Sequence, residues 1–439
     1  MTDLMGPSLR WLLLLVGQAA ATPLSHEWGA LTTMMWADFR TPHKLTDAEA
    51  KFIAAHYAAV SLEKCTMQSD GDTTEQGQLA TARQLKGANP KLKVLAYWGV
   101  DMQGYQCSDA AQKLHRTHPS WYLSNPDGSP VMEKSYPQLD YRNPKARDWW
   151  VAAPLSIGGA DSSQLIDGIL ADGAGPRQVG SPTFANFSLP DRERLANGSL
   201  SVLRMLQKKF DEVNHGLVLC NGLNMYPNRF NPGTPMLPDY NFGIVNECDG
   251  VETEHVAAFE SRDHVTGRLN ITRVLKNIEL IEKAAAMGKT VMMNMWAGPV
   301  VAPNHWGPAR TTPNTTDAWR TALEQHFNFS AALYLVVAAP TVFFEYVEWY
   351  PMSSGVVSES TTHYVPRNLA VSVMTVHCHT NSTFKATCVG DTGTMPHVHC
   401  ATAVVSAGLS RGGSSTWSTG RYPWWHRSNA ILCKRGCFC

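Results

Sequence analysis

The sequence predicts an α/β chain folded as a (β/α)8 TIM barrel, and three observations carry that prediction. Eight short apolar, β-rich runs recur along residues 26–367, and helical stretches lie between them. The span also falls within the roughly 200–400 residues that such barrels occupy. An open doubly wound sheet is the main competitor, but no glycine-rich phosphate turn follows the first run.

In chain order the runs cover residues 30–39, 58–65, 92–100, 166–172, 217–223, 250–255, 290–296 and 341–348. Among the intervening helices, residues 46–59 open with Thr46 as an N-cap and Glu49 three positions on. Residues 190–213 and 272–287 space their apolar side chains by three and four, as a helix with one buried face does. The chain starts with one basic residue, Arg10, an apolar run over 11–16 and the small residues Ala19, Ala20 and Ala21. That order predicts a signal peptide over residues 1–21 and a secreted product, since the run is too short for a bilayer crossing of about 20 residues. Six Asn-x-Ser/Thr sequons, at Asn186, Asn197, Asn270, Asn314, Asn328 and Asn381, offer glycan acceptors on a eukaryotic secretory route.

Composition removes several function classes. With 37 basic and 37 acidic residues and no long run of one sign, the chain has nothing to track a phosphate backbone, so nucleic acid is excluded as a partner. No G-x-S-x-G elbow, H-E-x-x-H helix or P-loop is present, and no cofactor or metal is called for. Residues 368–439 differ from the rest. They hold six of the ten cysteines, are rich in Ser, Thr, Gly and His, and show no sustained helical period, which predicts an irregular or disordered tail. His377, Cys378, His379 and His397, His399, Cys400 match no common zinc spacing, and in a secreted chain such cysteines form bridges.

Barrel active sites sit at the C-terminal ends of the strands, so the polar groups that close each run are the candidates. The fourth run leads through apolar residues to Asp172 before Gly173; the same Asp-Gly pair also suits a plain turn. The sixth presents Glu252 and Glu254, which alternation points to one face of the strand. Glu254 lies nearer the end, beside His255, and is the better catalytic candidate, with Glu252 in substrate contact or in a buried ion pair behind it. The eighth run carries Glu345 and Glu348 among aromatics, a mixture that suits a sugar subsite and equally an ordinary strand edge. Trp36, Asp38, Tyr97, Trp98, Asn221, His255 and Trp296 complete the substrate-binding set, while Lys64, Asp101 and Asn294 are further polar groups at strand ends. Cleaving a glycosidic bond needs one carboxylic acid to protonate the leaving oxygen and one carboxylate as nucleophile or base. Asp172 and Glu254 meet that need, with an oligosaccharide or polysaccharide as substrate.

Five segments carry a resemblance: Trp36-Ala37-Asp38, Tyr97-Trp98, Leu139-Asp140-Tyr141-Arg142-Asn143-Pro144 leading to Trp149-Trp150, Asp167 to Gly173, and Asp249 to His255. In this order they resemble the uncharacterised glycoside-hydrolase-like barrel families, over about residues 28–349. The resemblance implies that Asp172 is the strand-four carboxylate of the pattern and Glu254 the acid of its strand-six Glu-His pair. The α-galactosidase group, to which the chain is distantly similar, implies nucleophile and proton donor respectively. The tail departs from the further β-rich segment that such a family implies. Two other readings stay open: an inactive sugar-binding barrel stacking its ligand on Trp36, Trp98 and Trp296, and a polysaccharide lyase using Lys64 and Tyr97. The barrel reading further predicts Asp172, Asn221, Glu254 and Glu345 on one rim, and a bridge between Cys65 and Cys107 over neighbouring strand ends.

Overall fold

The computed structural model describes residues 33–37, 44–67, 71–102, 104–133, 135–157, 165–175, 182–213, 216–223, 238–254, 271–296 and 317–347, together with Leu24, Val256, Leu269 and two short strands, Leu432–Cys433 and Cys437–Phe438. The expected signal peptide and, apart from that two-residue antiparallel pair, the expected irregular tail lie outside the described residues.

Eight parallel strands form one sheet in sequential order: β1 Met34–Ala37, β2 Ala59–Leu62, β3 Lys93–Gly99, β4 Gly168–Asp172, β5 Leu217–Asn221, β6 Gly250–Thr253, β7 Thr290–Trp296 and β8 Val342–Val347. A parallel bridge between Thr33 and Phe344 brings the first strand to the last, as a barrel requires. Helices fill the crossovers: α1 Asp47–His56, α2 Thr74–Ala88, α3 Asp109–Thr117, α4 Pro144–Leu155, α5 Leu189–Val213, α6 Pro238–Glu247, α7 Ile271–Ala286 and α8 Asp317–Val337. The chain is a (β/α)8 TIM barrel. None of the described helices is long and apolar enough to cross a membrane.

Local chemistry sets the helix ends. Thr46 caps α1 in a reciprocal box with Glu49, as its spacing predicts, and Thr73 does the same for α2 with Gln76. Asn143 caps α4 ahead of Pro144, whose missing N–H costs nothing at a first helical position. The helix expected to run on to residue 59 stops at His56, because Ala59 is needed as the first residue of β2, opposite Met34.

Side-chain alternation gives the barrel two kinds of interior layer. Met34, Ala59, Leu95, Leu170, Leu219, Met292 and Phe343 form an apolar floor that is almost wholly buried, separate from the larger core between sheet and helices. Burying each of the larger floor side chains stabilises the fold by roughly 1.5–3 kcal/mol. One pleat further on, the same strands present Trp36, Ser61, Tyr97, Asp172, Asn221, Asn294 and Glu345, all buried, and β6 presents Glu252. The change from apolar to polar therefore takes two residues along each strand.

Two disulfides tie neighbouring units of the barrel together. Cys65–Cys107, with Cα atoms 5.3 Å apart, joins the segment after β2 to the one after β3, as expected. Cys220–Cys248, at 6.2 Å, joins β5 to the segment before β6 and was not anticipated. Its sequence separation of 28 residues implies a loss of roughly 3–4 kcal/mol when the cross-link is removed. Urea unfolding of the C220A/C248A double variant is expected to show that loss, and a change below about 1 kcal/mol would mean that the bridge contributes little to holding the unfolded chain.

Candidate active site

The polar layer forms a belt around the barrel: two hydrogen-bonded groups that meet on the β6 segment, and cation–π contacts beside β2. From β3, the Tyr97 hydroxyl donates to Asp172 Oδ2 at 2.7 Å. The Gly173 N–H donates to Asp172 Oδ1 at 2.7 Å, and Asn221 Nδ2 donates to that same oxygen at 2.8 Å. Asn221 Nδ2 also donates to Glu254 Oε2 at 2.9 Å. On β7, Asn294 Nδ2 repeats the arrangement, donating to Glu345 Oε2 at 2.9 Å and to Glu252 Oε1 at 3.3 Å. The backbone N–H of Trp36 then donates to Glu345 Oε1 and so carries the belt to β1. Just beyond β2, Lys64 Nζ lies 4.8 Å from the Tyr97 ring centre and 5.9 Å from that of Trp36, and donates to Glu63 Oε1 at 2.5 Å. These are cation–π distances, and they place the contribution of β2 between those of its neighbours β1 and β3.

Each carboxyl group is held differently. Asp172 accepts three hydrogen bonds, an arrangement that favours the charged form. Burial holds the Tyr97 phenol well above its ordinary value, with the charges of Asp172, Glu63 and Asp101 adding to the effect, so it remains a donor. Glu252 is wholly buried, and among the described residues its Oε2 has no hydrogen-bond partner. Burial first, then the charges of Glu254, Glu345 and Asp172, push its carboxyl well above the ordinary 4.5, so that it keeps its proton. Glu254, in the turn just past β6, is only half-buried and has access to solvent. Gly173 permits the sharp exit from β4: its φ is +66°, and a Cβ there would lie 2.6–2.9 Å from the Asp101 carboxyl group.

Of the residues expected at the mouth, Trp36, Tyr97, Asp172, Asn221, Glu252, Glu254 and Glu345 come together in this belt. Trp98 does not. Alternation along β3 turns it outward when Tyr97 turns inward, and its indole N–H donates to the Trp150 carbonyl at 3.1 Å in the layer between sheet and α4. Asp38 and His255 lie outside the described residues, as does the side chain of Trp296. Asn294 and Asp101, expected only as strand-end polar groups, and Lys64, expected otherwise only in the lyase reading, lie in or beside this layer, as does Glu63, which the sequence reading does not single out. The signal for Glu63 was its parity with Ala59 and Ser61, which places it on the inner face. No group of three His, Cys, Asp or Glu side chains among the described residues is arranged to hold a metal ion.

The resemblance to glycoside-hydrolase-like barrels is borne out. Residues 86–291 match the family described as Hypothetical glycosyl hydrolase family 15, a stretch that contains Tyr97, Asp172, Asn221, Glu252 and Glu254 and stops short of Asn294 and Glu345. No curated protein matches the sequence. Among solved structures, a family 36 α-galactosidase from Geobacillus stearothermophilus is similar at 13% identity and a TM-score of 0.39, over 78% of this chain and 42% of that one. The trehalose-6-phosphate hydrolase of Bacillus licheniformis is similar at 10% identity and a TM-score of 0.44, over 75% of this chain and 66% of that one. The chain thus spans less than half the length of that galactosidase.

The state of Glu252 has a consequence for stability. Its folded value lies above the unfolded one, so the stability it contributes is fully present below about pH 4.5 and is lost as pH rises through the raised folded value. Glu252→Gln keeps the shape and cannot ionise. Thermal melts across pH 4–9 are expected to show the variant gaining on the parent as pH rises. Parallel curves would mean that Glu252 titrates at its ordinary value.

Proposed function

We propose that this chain is a secreted glycoside hydrolase in which Asp172 is the nucleophile and Glu254 the proton donor. One observation carries the reading: a single amide nitrogen, that of Asn221, holds an oxygen of each carboxyl group, at 2.8 and 2.9 Å. Two bonds of that length through one atom keep the oxygens within about 6 Å of each other, close to the ~5–5.5 Å gap of retaining enzymes and below the ~6.5–9.5 Å that inverting enzymes need for a water. The reaction class is therefore double displacement with retention. Asp172, charged and held by three donors, attacks the anomeric carbon. Glu254 gives its proton to the departing oxygen, then takes one from the water that releases the sugar from Asp172.

The substrate is an oligosaccharide or polysaccharide, bound against Trp36 and contacted from β8 by Glu345. Tyr97 and Asn221 act on the carboxylates, and Glu252, wholly buried, acts beneath them. Two disulfides fit an oxidising compartment, in keeping with a signal peptide over residues 1–21, a catalytic barrel within 26–367 and an appended tail over 368–439.

The test is turnover on a panel of reducing-end-labelled oligosaccharides, with product anomers followed by proton NMR. The parent is expected to release the retained anomer. Glu254→Gln should cost about 100- to 10,000-fold on natural leaving groups and much less on aryl glycosides, whose leaving group needs no proton. Asp172→Asn should be inactive on both, and Glu345→Gln should act more mildly. Full hydrolysis by Asp172→Asn would refute the assignment of roles.

A further inference from the structure

Asn221 stands at the end of β5 with 2% of its surface exposed, between Asp172 on β4 and Glu254 beyond β6. A side-chain amide nitrogen has two N–H bonds and no more. Both are taken here, one by Asp172 Oδ1 and one by Glu254 Oε2. The orientation of the amide is dictated by its neighbours, since turning it over would aim the carbonyl oxygen at two carboxyl groups. The nitrogen therefore has no donor left for a sugar hydroxyl.

We propose that Asn221 is a positioning residue that sets the gap between Asp172 and Glu254 and supports whichever of the two is charged. The proposal rests on the assignment of those two residues as nucleophile and acid. A hydrogen bond to an ionised acceptor is about twice as strong as one to a neutral acceptor. In the free enzyme Asp172 is the anion and Glu254 carries a proton. In the first step Asp172 forms its bond to the anomeric carbon, the bond to the leaving oxygen breaks, and the Glu254 proton goes to that oxygen. The charge has then moved from Asp172 to Glu254, while both remain on the same nitrogen. In the second step water gives its oxygen to the anomeric carbon and its proton to Glu254, and the bond to Asp172 breaks. The charge returns. Throughout, the amide stays in place and the anion it serves changes, so neither step needs a new donor to be brought in. Asn294 repeats the geometry between Glu252 and Glu345, with one amide nitrogen donating to a carboxyl group on each side.

The experiment compares Asn221→Ala and Asn221→Asp with the parent in kcat, KM and the pH profile of kcat/KM, with melts to establish folding. The titratable groups facing the pair are Tyr97 and Asp101 from the β3 side, Glu63 and Lys64 from the end of β2, Glu252 from β6 and Glu345 from β8, and all are unchanged in the variants. Removing a donor that favours the charged form raises the proton affinity of both carboxyl groups. Asn221→Ala should therefore move both limbs of the profile to higher pH and lower kcat by about 10- to 100-fold with little change in KM. Asn221→Asp, of the same shape but with an added negative charge, should move them further and lower kcat more, and it decides the matter if the alanine variant does not fold. A folded variant whose limbs stay at the parental pH would overturn the proposal, as would a change confined to KM, which is the behaviour of a substrate contact. Loss of the underlying role assignment would instead show as activity in Asp172→Asn, whatever Asn221 does.

Discussion

Charge crowding is the constraint on which this barrel mouth depends. Asp172, Glu252 and Glu345 are buried together, with the half-buried Glu254 beside them. Two unit charges 4 Å apart repel by about 4 kcal/mol at an effective dielectric constant of 20. The arrangement relieves this in two ways. Amide nitrogens sit between carboxyl groups, so that each pair meets through a shared donor, and the group with the least access to donors or water keeps its proton. Asparagine suits the first task because it carries two N–H bonds on one atom and adds no charge.

Sheet geometry explains why the belt is possible at all. Because side chains alternate, the residue two places beyond each floor position points the same way, and Leu170, Leu219, Met292 and Phe343 are followed on their strands by Asp172, Asn221, Asn294 and Glu345. Cys220 uses the opposite parity. Cys220 faces the helices while the next residue, Asn221, faces inward, and Cys65 adjoins Lys64 just past the end of β2. The Cys220–Cys248 bridge thus fastens, from outside, the strand that carries Asn221, and the Cys65–Cys107 bridge holds the segment that carries Lys64.

Much of this was legible in the sequence. Eight β-rich runs with helices between them and acids at the strand ends were enough to place Asp172, Asn221, Glu254 and Glu345 at one mouth, because period and burial are local properties of the chain. What was misread depended on partners. Trp98 and Tyr97 are neighbours in sequence, and only the pairing of β3 with β2 and β4 decides which of them enters the barrel. Asn294 looked like one polar residue among several, since its role exists only between Glu252 and Glu345. Cys220 and Cys248 lie 28 residues apart with nothing in their spacing to pair them. Glu63 follows β2 on the inner parity, but a lone acid before a lysine carries no signal until the strand's inner face is known.

The belt also ties function to the order in which the chain is completed. Its closing contact joins the backbone of Trp36 to the side chain of Glu345, 309 positions later in sequence. The strands before β8 include Asp172, Asn221 and the approach to Glu254, yet while β8 is missing the carboxylate that receives Trp36 is absent and the barrel has an open edge. A nascent or clipped chain lacking its eighth strand therefore carries Asp172 and Asn221 without the contact that joins the first strand to the last. Such long-range closure is slow to form, because distant segments must meet before any contact rewards them. In this fold, the last strand to be made is the one that brings the belt back to the first.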